Sequence, residues 1–126
     1  FRLDTKDLNV TNKQFCAALN AELRTGDAFE PPYDPLSACG LYKPLTKRRH
    51  KLNAEYWKAI NPKRFAIPVC REATERSGIA VHHVALMNAQ SDMDQIAAAV
   101  RKLVDNIHEV RAIAGGEHKK YQALSR

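Results

Sequence analysis

Long apolar runs, internal repeats and paired cysteines are all missing from this sequence of 126 residues. No stretch approaches the roughly 20 consecutive apolar residues that cross a bilayer, so no membrane-spanning helix is predicted. Without a repeat or a low-complexity tract, a chain of this length is expected to form one modest domain. The sequence begins without methionine or a signal-peptide pattern. Its first residues, FRLD, alternate like a strand already under way, so we expect a fragment of a longer chain.

Cysteine and histidine are present, but their spacing does not indicate a disulfide framework or a metal site. Cys16, Cys39 and Cys70 form no CxxC pair, and their number is odd. We therefore expect reduced thiols in a cytoplasmic protein, with Cys16 and Cys70 packed on helices. Among the histidines only His82 and His83 are close in sequence. Successive strand residues point to opposite faces, so these two imidazoles are not expected to bind one metal ion.

Positive charge is in excess, with a formal net charge of +6 at pH 7. Much of it lies in the run 47–51 (KRRHK) and at Lys119 and Lys120. Neither cluster is interleaved with aromatic residues, and no nucleic-acid motif accompanies them. We expect a solvated face or an anion-binding loop. The alternative is a small non-catalytic basic interaction module that binds nucleic acid or an acidic partner.

The strongest pattern in the sequence runs from Gly78 to Arg111. Ile79, Val81 and His83 alternate with their neighbours, which predicts a half-buried strand. A long helix, 91–113, follows as the spine of the domain, with Ser91 as its N-cap. We expect Asp94 to complete a box-like start to this helix. Apolar residues at spacings of three and four predict its buried stripe: Met93, Ile96, Ala97, Val100, Leu103, Val104, Ile107 and Val110.

A second helix is predicted over residues 12–25. Thr11 is its expected N-cap, Gln14 completes a capping box, and Gly26 ends the helix in a left-handed conformation. Residues 1–4 resemble the end of a strand, and residues 28–30 a short strand. The buried stripe of the helix is predicted to contain Phe15, Ala18, Leu19 and Leu23.

Four prolines between 31 and 44 argue against regular structure in the segment 31–46. Its aromatic and leucine side chains favour an ordered loop laid across another surface. A helical turn is predicted at 53–60. Residues 65–77 are expected to enter, in extended form, a helix that starts near Pro68 and is stopped by Gly78.

Two stretches carry a resemblance to a known family. They are IAVHHVALM with the following SDMDQIAAAVRK, and FEPPYDPLSACGLYKPLTKRRHKLNAEYWKAINPKRFAIPVC with its YxPL element. Over about residues 10–112 the chain resembles the C-terminal end of the DegT/DnrJ/EryC1/StrS aminotransferases, in particular the branch acting on cyclitols. The resemblance implies an α/β fold. Residues 1–113 would be the small C-terminal domain of a fold-type-I transferase, with a small sheet packed on two or three helices. A polar tail, 114–126, would follow.

The resemblance also implies a reaction. Members of the family use pyridoxal 5'-phosphate to move an amino group from L-glutamine or L-glutamate to a keto-cyclitol or keto-sugar, as homodimers. The related aminohydroxybenzoate synthase chemistry remains a second option within the branch. In the family, the lysine that binds the cofactor precedes this region. No lysine here lies in that motif, so no catalytic residue is expected in this fragment.

Five residues are candidates for the substrate side. Tyr33 and Tyr42 carry hydroxyls on the proline-rich loop for a polyhydroxylated ring or a phosphate. Arg48 and Arg49 suit the carboxylate of an amino donor. His83 lies where the family has a histidine at the end of a strand. Its imidazole could form a hydrogen bond with a ring hydroxyl or ketone of the substrate. The plainer alternatives are loop packing for the tyrosines, solvation for the arginines and a backbone carbonyl partner for the histidine. We expect the Tyr33 loop and His83 to converge on one cleft.

Overall fold

Helices dominate the structure, a computed structural model that describes residues 1–36, 38 and 53–113. A two-stranded antiparallel sheet accompanies them, which is less sheet than the predicted α/β domain implied. None of the helices in this part of the chain is long and apolar enough to cross a membrane. The elements are α1 Thr5–Leu8, α2 Asn12–Leu23, β1 Phe29–Glu30, α3 Ala54–Ala59, a 3₁₀ turn Pro62–Arg64, α4 Pro68–Glu72, a π-helical turn Ala73–Ser77, β2 Ala80–Val81, a 3₁₀ turn His83–Leu86, α5 Gln90–Asp105 and α6 Ile107–Ala112.

The sheet is short because its strands are extended together over only a few residues. Phe29 pairs with Val81 and Glu30 with Ala80. Beyond Val81 the chain turns into the 3₁₀ segment, so the strand predicted to run as far as Val84 ends earlier. β1 provides no further residues for pairing at that end, because the turn after α2 comes immediately before it. This turn contains a left-handed residue at Gly26 (φ 63°).

The predicted strand at residues 1–4 is present as a single antiparallel bridge between Arg2 and Gly78. The amide of Leu3 donates to the carbonyl of Ser77 at 2.8 Å, and the amide of Ile79 donates to the carbonyl of Phe1 at 2.9 Å. The first residues therefore lie along the segment that leads into β2, on the side away from β1.

The predicted capping box of α2 is confirmed. The amide of Gln14 donates to Thr11 Oγ1 at 3.3 Å, and the amide of Thr11 donates to Gln14 Oε1 at 3.0 Å. The end of the helix was predicted at the wrong residue. Arg24, with φ 55° and ψ 37°, is the left-handed cap, and its amide donates to Asn20 O. Gly26 takes a second left-handed conformation in the turn that follows.

The long predicted helix is two helices. Its expected Ser91 cap is wrong: α5 begins at Gln90, and the amide of Ala89 donates to Asp92 Oδ2 at 3.2 Å. The helix breaks at Asn106, whose side-chain amide donates to the carbonyl of Lys102 at 2.8 Å. The Asn106 backbone amide donates to the same carbonyl at 3.0 Å, and Asn106 itself leaves the helical conformation, with φ −111° and ψ 34°.

The buried stripe of α5 and α6 is rotated slightly from its predicted phase. Ala99 replaces Ala97 as the buried alanine, and Val104 remains 40% exposed. Leu103 and Val110 are buried as predicted, while Ile96, Val100 and Ile107 are half-buried. The buried residues of α5 and α6 belong to the hydrophobic core, and the half-buried ones pack against it. The core consists of Leu3, Val10, Phe15, Cys16, Ala18, Leu19, Phe29, Ile79, Ala99, Leu103 and Val110.

The segment between α3 and β2 follows the prediction in outline. α3 is capped by Asn53, whose Oδ1 accepts from the amide of Tyr56 at 2.8 Å. α4 starts at Pro68 and its continuation ends at Gly78, although the last turn is a π-helix. Cys70 is exposed, so its predicted packing role is wrong, whereas Cys16 is buried as expected.

Candidate functional site

A contact between a histidine and a carboxylate crosses the end of the ladder. His82 Nε2 lies 3.3 Å from Glu30 Oε1, and the two side chains are 50% and 27% exposed. Glu30 pairs with Ala80, so His82, two residues further on, lies diagonally opposite it on the same face. Phe29 and Ile79 are on the other face and are buried in the core. The ladder therefore has one apolar face and one face that carries the contact between His82 and Glu30.

His83 begins the 3₁₀ turn His83–Leu86 and is exposed. The expectation that it shares a strand face with Ile79 and Val81 is wrong, because the chain leaves the strand after Val81. Residues on that face point into the core, which would have buried the imidazole. No hydrogen bond from the His83 side chain is present within the part of the chain that the structure describes. The ring therefore faces solvent.

Tyr33 is 85% exposed and leaves the ladder at its other end. A Cβ placed on Gly78 would lie 2.7 Å from Pro32 Cγ, so the chain after β1 passes directly over Gly78. Continuing the antiparallel register sets Tyr33 opposite Ser77, six residues before His83. Because β1 and β2 are antiparallel, Tyr33 and His83 follow opposite ends of the ladder, and their convergence on one cleft stays a prediction.

The three remaining candidates, Tyr42, Arg48 and Arg49, lie outside the described residues. Of the five predicted substrate residues, the structure therefore describes Tyr33 and His83. Both are exposed, and both are followed by exposed apolar side chains. Leu36 follows Tyr33 at 77% exposure, and Met87 follows His83 at 76%.

β1 is held in place by α2 through Asn20. The side-chain amide of Asn20 donates to the carbonyl of Phe29 at 2.7 Å, and the amide of Phe29 donates to Asn20 Oδ1 at 3.0 Å. Asparagine is unfavourable within helices because its side chain seeks backbone partners. Its position in the last turn of α2 was the sequence signal that could have indicated this contact.

The π-helical turn before β2 is tied to α2 by Asn12, which is fully buried. Its side-chain amide donates to the carbonyl of Thr74 at 2.9 Å and to the carbonyl of Gly78 at 3.0 Å. Next to this turn, Ser77 donates to Glu72 Oε2 at 2.9 Å, and Arg2 pairs with the same carboxylate at 2.6 Å. These contacts fix the path by which the chain enters β2.

Cys16 lies under the ladder and does not act as a nucleophile there. Burial, and then the negative charge of Glu30, raise the pKa of the Cys16 thiol to about 12. Nucleophilic chemistry by cysteine requires the thiolate, which is not populated at neutral pH with such a pKa. Glu30 was not among the residues selected from the sequence. Its proximity to His82 depends on the register of the sheet, which the sequence did not specify.

A groove lies between α2 and the last two helices, α5 and α6. This groove of about 430 Å³ is lined by Ala18, Ala21, Glu22, Lys102, Leu103, Asn106, Glu109, Val110 and Ile113. Lys102 Nζ already pairs with Glu22 Oε1 at 2.7 Å. Neither Tyr33 nor His83, the two candidates that the structure describes, lines this groove. Within the described ranges no cluster of three or more His, Cys, Asp or Glu side chains could hold a metal ion.

Comparison with known proteins gives a consistent set of relatives. The chain is 46% identical over 95 residues to an L-glutamine:2-deoxy-scyllo-inosose aminotransferase of Streptoalloteichus tenebrarius, a match that covers 75% of this chain and 22% of the relative. It is 46% identical over 87 residues to the protein of the same name from Streptomyces fradiae, covering 69% and 20%. It is 36% identical over 98 residues to an L-glutamine:scyllo-inosose aminotransferase of Streptomyces griseus, covering 78% and 22%. The matched region is about a fifth of each relative's length. No family model matches the chain.

Proposed function

The chain is a homologue of the C-terminal portion of the DegT-family L-glutamine:2-deoxy-scyllo-inosose aminotransferases, and from this premise we propose that it is the C-terminal part of such an enzyme. The reaction is transfer of an amino group from L-glutamine or L-glutamate to a ketone on a cyclitol or sugar. The observation that carries the proposal is the 46% identity over 95 residues. The basic interaction module is the weaker alternative, because it offers no reason for this identity. A steep salt dependence of nucleic-acid binding would favour that module.

The proposed cofactor is pyridoxal 5'-phosphate, which supplies the electron sink for amino-group transfer. The lysines that the structure describes do not fit its attachment. A lysine that forms a Schiff base is commonly desolvated, so that its amine is neutral and nucleophilic. All the described lysines are exposed: Lys6, Lys13, Lys58, Lys63 and Lys102. The proposal therefore assigns the cofactor mainly to a large domain outside this sequence, and residues 1–113 to a small domain that acts on the substrate side.

The proposed substrate-side residues are the five candidates from the sequence. Tyr33 and Tyr42 would bind ring hydroxyls, Arg48 and Arg49 the donor carboxylate, and His83 the acceptor ketone or a neighbouring hydroxyl. The exposed imidazole of His83 supports this role, since the described chain gives it no structural partner. The divergent positions of Tyr33 and His83 imply that they do not act on the same atom of a substrate.

The exposed apolar side chains next to Tyr33 and His83 support the proposal that other parts of the complete protein cover these segments. Leu36 and Met87 each expose more than three quarters of their surface. Large apolar side chains that are exposed together, as Val84, Leu86 and Met87 are within one short segment, mark sites of contact with other protein. We propose that the remaining four-fifths of the protein, assembled as a homodimer, covers these segments.

The first test uses the complete protein and this chain side by side. The complete protein should transfer the amino group of L-glutamine to 2-deoxy-scyllo-inosose or scyllo-inosose. This chain alone, mixed with pyridoxal phosphate and reduced with borohydride, should show no stoichiometric labelling of a single lysine. Absence of transfer by the complete protein to either ketone refutes the function. Specific labelling of this chain refutes the assignment of the cofactor to the preceding domain.

The second test addresses His83 in the complete protein. His83→Ala should lower kcat/KM for the acceptor half-reaction on the order of 10²-fold if the imidazole handles a proton, and less if it only orients the ring. The matched control is His108→Ala, which removes an exposed histidine on α6. Unchanged kinetics combined with a lowered Tm would assign His83 to packing.

A further inference from the structure

His82, the residue before His83, is held at three points. Its backbone amide donates to the carbonyl of Ala28 at 2.9 Å, and its own carbonyl accepts from the amide of Ala85 at 2.9 Å. Its Nε2 lies 3.3 Å from Glu30 Oε1. The first two contacts join the end of the ladder to the start of the 3₁₀ turn. The third contact ties the side chain back to the opposite strand.

Burial cannot hold this turn in place. Val84, Leu86 and Met87 are 63%, 55% and 76% exposed. A segment with few buried apolar contacts opens at a low free-energy cost unless polar contacts restrain it. The direction of the His83 side chain therefore depends on the contacts that hold His82 in place.

Glu30 is well placed to act as the fixed partner. It follows Phe29, whose side chain is fully buried and whose amide and carbonyl are both bonded by Asn20. The Glu30 carboxylate is half-buried beside the neutral thiol of Cys16. Among the residues that the structure describes, His82 is the only Lys, Arg or His with a side-chain nitrogen within 4 Å of this carboxylate.

We propose that Glu30 and His82 are positioning residues: the contact between their side chains fixes the start of the 3₁₀ turn and so aims His83 at the ketone acceptor. This inference rests on the proposed function of the site. Neither residue needs to touch the substrate. Release of His82 lets the turn rotate and displaces the His83 imidazole, and a displacement of about 1 Å at a reacting centre can cost up to 10²-fold in rate.

The test is a double-mutant cycle in the complete protein, with each half-reaction measured separately. Glu30→Ala should lower kcat/KM on the order of 10-fold for the ketone acceptor and leave the L-glutamine half-reaction unchanged. In a His83→Ala background the same substitution should change the acceptor half-reaction by less than about 2-fold, since the residue through which it acts is gone. Glu30→Gln keeps a polar side-chain oxygen next to His82 Nε2 and should recover most of the loss.

The matched control is Glu22→Ala, which breaks the ion pair with Lys102 elsewhere on the surface. It should leave both half-reactions unchanged. Multiplicative losses for Glu30→Ala and His83→Ala overturn the inference, and so does an equal loss in both half-reactions or no loss at all. A wild-type protein that transfers no amino group refutes the proposed function itself, so the two failures are distinguishable.

Discussion

Substitution of Gly78 by alanine tests the close approach of three chain segments. Gly78 has φ −76° and ψ 141°, a conformation open to any residue, so glycine is not required there for backbone freedom. It is required for space. An added Cβ would lie 2.5 Å from the carbonyl oxygen of Ala73 and 2.7 Å from Pro32 Cγ. One of these atoms belongs to the backbone and the other to a proline ring, so neither can rotate away.

The expected cost combines two terms. Inserting a methyl group into a packed site costs about 1–3 kcal/mol. Relief of the clash moves Ala73 O, which accepts from the Gly78 amide at 2.6 Å. Loss of that hydrogen bond adds about 1 kcal/mol. Asn12 also donates to the Gly78 carbonyl and would be strained by the same movement. We expect Gly78→Ala to lower the free energy of unfolding by about 3 kcal/mol, with Tm falling by more than about 10 °C for a domain of this size.

Gly26→Ala is the control, because it adds the same methyl group at a position where the backbone conformation, and not a lack of space, opposes it. Gly26 has φ +63°, and nothing lies within 4 Å of the position its Cβ would take. The left-handed conformation alone should cost about 1 kcal/mol. Urea denaturation of both variants, followed by far-UV circular dichroism, gives the comparison. A Gly78→Ala variant that is no less stable than Gly26→Ala would show that Pro32 and the π-helical turn do not meet at Gly78.

Two further predictions concern the core. Leu103→Ala should lower the free energy of unfolding by about 2–5 kcal/mol, whereas Val104→Ala, at a position that is 40% exposed, should cost less than about 1 kcal/mol. Similar urea midpoints would show that the phase of α5 is wrong. Because burial raises the pKa of Cys16 from 9.0 to about 12, the unfolded chain loses this proton first as the pH rises. The stabilisation is therefore complete below about pH 9 and is lost between pH 9 and 12. Cys16→Ala should flatten that alkaline loss in denaturation curves, and at pH 8 a thiol reagent should modify Cys70 while Cys16 stays protected until unfolding.

The features that were predictable from the sequence are those determined within a few residues. The capping box depends only on Thr11 and Gln14, and the start of α4 only on the fixed φ of Pro68. The cap of α5 was missed although it is equally local. Asp92 and Asp94 are both acidic residues near the first turn, and the sequence gives no reason to prefer one. The break at Asn106 was missed because the apolar stripe continues on both sides of it. The hydrophobic pattern therefore gives no sign that one helix ends there and another begins.

The candidate site was less predictable because it depends on contacts between distant segments. His83 was assigned to a strand face on its alternation with Ile79 and Val81, a rule that holds only while the chain stays extended. The strand ends where its partner turns away, some fifty residues earlier in the sequence. Likewise, the separation of Tyr33 from His83 follows from the pairing of Phe29 with Val81. Neither residue carries local information about that pairing.

The side chain of Asn20 has a consequence for association between molecules. A two-stranded sheet normally leaves unpaired amide and carbonyl groups along its edges, and these groups can recruit a strand from another chain. At Phe29 both groups are already occupied by the Asn20 amide. Addition of a foreign strand there would first have to displace a helix side chain that makes two hydrogen bonds. Asn20 therefore protects this edge of β1 against intermolecular sheet growth, although it belongs to a helix.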